Sequence, residues 1–103
     1  MNNCCFTGYV VDSPRVEYVG DILRAEFILL TYGHRKTKAT GEKARVPTYI
    51  VCETWHTAAE AVEKFVKDGT KMTVQASAKN VSKDDECVIF RVNEFDICKE
   101  GYN

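Results

Sequence analysis

The sequence predicts an all-β domain: a five-stranded Greek-key barrel with one helix between the third and fourth strands. Three observations carry this. Runs rich in β-branched and aromatic residues, alternating with a period of two, recur along the chain. A single stretch has its apolar residues at helical spacing. The length, 103 residues and 11.7 kDa, suits a single domain over 1–103 with one core.

The first run, Cys4 to Val11, is rich in β-formers, and Gly8 within it suggests a bulge or bend. Asp12-Ser13-Pro14 interrupts it, and Arg15 to Val19 alternates before a Gly20-Asp21 turn. The second strand, Ile22 to Leu30, sets Ala25 and Phe27 against Arg24 and Glu26, a hairpin with one buried face. A long connection, Tyr32 to Arg45, follows. Pro47 discourages an early start to the third strand, read as Thr48 to Trp55. Alternation there places Tyr49, Val51, Glu53 and Trp55 on one face and Ile50, Cys52 and Thr54 on the other.

Thr57-Ala58-Ala59-Glu60 has the form of a capping box. Ala58, Ala61, Val62, Phe65 and Val66 make an apolar stripe, and Gly69 suits a C-terminal cap. Lys71 to Lys79 reads as the fourth strand, Lys83 to Glu86 as a polar turn, and Cys87 to Ile97 as the fifth. In that last strand Val88, Phe90 and Val92 alternate with Ile89, Arg91 and Asn93. Strand, strand, strand, helix, strand, strand is the order of an OB-fold; an α+β sandwich is the alternative on order alone.

Composition excludes several classes. Hydrophobic residues at 45% and charged residues at 28% are ordinary for a globular chain. No apolar run approaches a bilayer-spanning length, and the N-terminus lacks a signal-peptide layout, so a cytoplasmic protein is expected. Five cysteines, none spaced C-x-x-C, suit a reducing compartment; Cys52, Cys87 and Cys98 fall in strand-like runs and read as buried thiols. With His34 and His56 as the only histidines, no metal site is expected. No nucleophile elbow, Walker loop, H-E-x-x-H or EF-hand spacing occurs, and neither an enzyme nor a cofactor is expected.

The overall charge of −1 conceals a local excess. Residues 35–45 contain Arg35, Lys36, Lys38, Lys43 and Arg45 against Glu42 alone, a local net charge of +4. Such a run is often only a solvated loop. Here it is flanked by Tyr32 and by Tyr49 and Trp55, which share a strand face about 20 Å apart at roughly 3.3 Å per residue. That span suits separate bases of one extended single strand, each stacked on a ring, with lysine and arginine on the phosphates. Tryptophan is usually a core residue, but Glu53 on the same face marks it as surface, because an unpaired carboxylate is costly in a core. The same carboxylate would repel phosphate.

In this order and spacing, Asn2, Gly8, Pro14, Tyr18, Ala25-Glu26-Phe27, Lys38-Ala39-Thr40-Gly41-Glu42, Ala59-Glu60 and Lys67-Asp68-Gly69-Thr70 make the chain resemble the bacterial-type single-stranded DNA-binding proteins from about Asn2 to Cys98. The resemblance implies an OB-fold that wraps single-stranded DNA, as a homotetramer or dimer, in replication, recombination or repair. It implies stacking roles for Tyr49 and Trp55. Two further stacking positions of the family fall at Arg35 and near Lys83; arginine still stacks on bases, whereas lysine offers only a phosphate contact. Tyr32 or His34 could replace the loop aromatic by a small shift. The family's acidic tail is not matched in the residues given, which suits either a truncated chain or a compact phage-, plasmid- or primosome-type relative.

The sequence thus predicts a non-catalytic, largely sequence-independent binder of single-stranded DNA. Tyr49 and Trp55 stack bases, Arg35, Lys36, Lys38, Lys43 and Arg45 hold phosphates, and Lys79 and Lys83 lend support. The alternatives are an OB-fold adaptor in a replication or primosome complex and an RNA binder of the cold-shock kind. The first strand, Cys4 to Val11, is apolar on both faces, which suggests either burial in one barrel or pairing with a second copy.

Overall fold

In the computed structural model, which describes residues 1–36, 39 and 41–98 (backbone alone at 35 and 36), six elements follow in the predicted order. They are β1 Cys4–Val19, β2 Ile22–Lys36, β3 Lys43–Trp55, α1 His56–Phe65, β4 Lys71–Asn80 and β5 Val88–Ile97. The strands close a barrel in the order β1-β2-β3-β5-β4. All neighbours are antiparallel except β3 and β5, which run parallel with Cys52 opposite Phe90 and Glu53 opposite Arg91. This is the OB-fold.

Several boundaries differ from expectation. β1 does not stop at Asp12-Ser13-Pro14 but bends there. Asp12 has φ 68°, the ladder to β2 shifts between Val11 and Arg15, and the Asp12 N–H donates to Asp68 Oδ1 at 2.7 Å. The bulge lets one strand serve two partners, β4 through Cys4–Tyr9 and β2 through Tyr9–Val19. Gly8 is not the bulge, since its pairing with β4 is unbroken. A Cβ there would lie 2.2 Å from the Leu30 carbonyl oxygen, so glycine is what allows β2 to approach.

The expected long connection after Tyr32 is largely strand. β2 and β3 pair out to Lys36 opposite Lys43, a ribbon reaching beyond the barrel. Pro47 is tolerated within it because β3 there has only β2 as a neighbour among the described residues, so no second ladder calls for the N–H that proline lacks.

The helix begins at His56, one residue before Thr57, and among the described residues no side chain caps it. Thr57 therefore lies inside the first turn and the capping box does not form. The buried face is Ala59, Val62 and Val66, while Phe65 of the predicted stripe is exposed. The barrel end accepts only a narrow strip of helix. Gly69, with φ 88°, is not the helix cap but part of the Lys67–Thr70 turn; its N–H donates to the Val10 carbonyl, and the Thr70 carbonyl accepts from Val10.

The core joins Val10, Phe27, Leu29, Ile50, Cys52, Val62, Met72 and Val74, with Phe6 and Phe90 packed edge-on at 5.1 Å. Each large side chain buried here contributes about 1.5–3 kcal/mol. All five cysteines are free thiols. Only Cys52 is buried, which pushes its thiol up to about 12. Cys87 lies just before β5 and is exposed, and Cys98 follows β5 half-buried, so neither is the buried strand thiol expected. Among the described residues no helix is long and apolar enough to cross a membrane.

Candidate nucleic-acid interface

Residues opposed in a ladder project to the same side, so the register defines the outer face of the barrel. Tyr9, Leu30 and Tyr49 form one row, and Val11, Ile28 and Val51 the next. The third row, Arg15, Glu26, Glu53, Arg91 and Ser77, crosses all five strands, and Arg24 stands opposite Trp55 beyond it. The face is thus apolar toward the ribbon and ionic toward the helix.

Tyr49 is 62% exposed and open to a stacking partner. Trp55 is half-buried on the same face, with the Arg24 guanidinium 5.7 Å from its ring centroid. Trp55 forms one wall of a cleft of about 500 Å³ shared with His56, Ala58, Arg91, Val92 and Asn93. The indole Nε1 is buried and has no direct hydrogen-bond acceptor among the described residues. It nevertheless lies near enough to Glu53 to favour the charged carboxylate.

Glu53 departs from its sequence reading. It lies on the outer face as alternation requires, yet its side chain is only 3% exposed. Among the described residues three cations cover it: Arg24 through Nη2 at 2.9 Å and Nε at 3.2 Å, Lys79 Nζ at 2.9 Å and Arg91 Nε at 3.5 Å. Burial alone would raise its carboxyl, but Lys79, Trp55 and Arg24 outweigh that and bring it down to about 2. An unpaired acid is costly to bury, which is why alternation alone suggests exposure; this one is paired.

The other predicted residues fall into two groups. On the ribbon, Tyr32 is exposed on β2 and the Arg45 guanidinium stacks 3.9 Å from its ring centroid. His34 stands opposite Arg45, and both are exposed with Lys43. The backbones of Arg35 and Lys36 pair with Ala44 and Lys43, while Lys38 lies outside the described residues. On the barrel wall, Lys79 joins Glu53, and Lys83 is exposed in the β4–β5 turn. Tyr49 sits between the groups. Sequence reasoning missed Arg24, Arg91 and the Tyr9–Leu30–Tyr49 row. Alternation already placed Arg24 and Arg91 opposite core-facing neighbours; the parallel β3–β5 contact that brings Arg91 to Glu53 has no local signal.

The single-strand binding protein family matches residues 1–98. The chain belongs to that family. Among solved structures, a deletion mutant of the single-stranded DNA binding protein from Thermus aquaticus is similar over 98% of this chain and 52% of its own, at 18% identity and TM-score 0.84. The chain spans about half the length of that protein. An SSB from Plasmodium falciparum, solved in complex with single-stranded DNA, is similar over 94% of this chain and 92% of its own, at 19% identity and TM-score 0.77. At these identities the likeness concerns the fold. No curated protein matches the chain.

Proposed function

We propose that the chain binds single-stranded DNA, largely without regard to base sequence, along the outer face of β2 and β3 and the ribbon beyond them. The carrying observation is the placement of Tyr49 and Trp55 on one outer strand face, flanked by Lys79 and Arg91 at one end and Lys43 and Arg45 at the other. Rings accept any base, and the cations supply phosphate contacts that make affinity fall with salt. Membership of the single-strand binding protein family supports this reading. The role is that of a non-catalytic binder protecting single strands during replication, recombination or repair.

A second copy of the chain is the further partner we propose. Tyr9 on β1 is 40% exposed and Cys5 is exposed as well, leaving outer apolar surface on that strand for a homo-oligomer to cover. Light scattering that returns a monomer at micromolar concentration overturns this part.

The test of DNA binding is a fluorescence titration with oligo-dT at two salt concentrations and against duplex DNA. Trp55 is the only tryptophan, so quenching reports on the site itself. Quenching by the single strand that weakens with salt supports the reading. Absent quenching with persisting anisotropy of a labelled oligonucleotide moves the site elsewhere. Silence of both favours the adaptor reading.

A further inference from the structure

An acid in the middle of a face meant for phosphate looks counterproductive, yet among the described residues Glu53 pairs with three cations, Arg24, Lys79 and Arg91. Its two oxygens divide the work. Oε1 is held by Arg24, whose side chain is 15% exposed and is shared with Glu26 at 3.0 Å and Glu17 at 3.8 Å. Arg24 is thus surrounded by carboxylates and anchors the network without being available to DNA. Oε2 faces Lys79 at 2.9 Å and Arg91 at 3.5 Å, whose side chains are 37% and 50% exposed.

We infer that Glu53 is a positioning residue for DNA binding: anchored by Arg24, it orders Lys79 and Arg91 so that their remaining N–H donors meet a backbone phosphate beside the Trp55 cleft. This rests on the DNA-binding reading above and deepens it. Glu53 meets Arg91 through Nε, leaving the guanidinium's terminal nitrogens, which have no other acceptor among the described residues, for the bidentate grip that suits phosphate. Lys79 gives one of its three N–H groups to Glu53 and keeps two. Arg91 also lines the cleft against Trp55 and Asn93, so a phosphate bound there lies next to a base stacked on the indole. Without the carboxylate the two cations repel each other and return to solvent, and DNA must order them on binding.

Loss of the Glu53 carboxylate should act opposite in sign to simple electrostatics. Removing a negative charge from a DNA-binding face ordinarily tightens binding; here Glu53→Gln weakens it by about 2- to 10-fold, the effect of leaving one or two side chains to be ordered. Affinity for oligo-dT is measured by anisotropy for wild type, E53Q, K79A/R91A and the triple variant, with circular dichroism and thermal melting to verify folding. Weaker binding by E53Q that disappears in the K79A/R91A background supports the inference. A folded E53Q that binds as tightly as wild type or more tightly overturns it, as does an equal loss in both backgrounds. If E53Q does not fold, E53D, which keeps the charge but withdraws it by one methylene, is judged by the same comparison. Wild type that fails to bind oligo-dT removes the underlying reading, an outcome distinct from wild-type binding with an insensitive E53Q.

Discussion

Lys79 on β4 and Glu53 on β3 meet at 2.9 Å across the intervening strand β5. Neither residue is near the other in sequence, and the barrel closure that joins them also buries the carboxylate. The result is an acid whose ionised form is stabilised by the fold, with a consequence for acid stability.

Glu53 titrates at about 2 in the folded chain, below its ordinary value of 4.5. A depressed carboxyl contributes stability that is complete above the ordinary value and is lost as pH falls through about 2. The melting temperature of wild type should therefore exceed that of Glu53→Gln most at pH 6 and converge on it toward pH 2. Thermal unfolding by circular dichroism across that range checks this, and a gap independent of pH would contradict it.

Trp55→Ala and Tyr49→Ala should each weaken oligo-dT binding by roughly 1–3 kcal/mol, the worth of one stacked base. Tyr49 is exposed and its loss should leave the melting temperature nearly unchanged. Trp55 is half-buried, so its variant should also melt somewhat lower. Anisotropy titrations paired with melts separate the two contributions.

Lys43→Ala and Arg45→Ala should each flatten the dependence of log affinity on log salt by roughly 0.7–0.9 per lost phosphate contact. Arg45→Ala additionally uncovers the ring of Tyr32, against which the guanidinium lies at 3.9 Å. It should therefore lose less affinity at high salt than Lys43→Ala, since the freed ring can stack. Slopes unchanged in both variants would exclude the ribbon from the contact surface.

Gly8→Ala should destabilise the fold by at least the 1–3 kcal/mol typical of an overpacked core. The added methyl would sit 2.2 Å from the Leu30 carbonyl, which is backbone and can move only by parting β1 from β2. Urea unfolding monitored by circular dichroism measures this. A variant as stable as wild type would show that the two strands can separate without cost.

The element order, the single helix and the outward placement of Tyr49 and Trp55 were legible in the residues, because side-chain alternation and local propensity act over a few positions. The same local rules misjudged the helix start: Thr57 and Glu60 have capping chemistry, but the turn out of β3 starts the helix at His56. They also shortened the β2–β3 ribbon, since a strand carrying many charges and a proline still pairs when its partner is held in register. Glu53 is the clearest case. By itself the sequence determined that an acid lies on the outer face of β3, since a period of two leaves no other choice. Only the tertiary structure decided that this acid is buried, because its cations arrive from β2, β4 and β5, and closure of a barrel is a long-range event that no local pattern encodes.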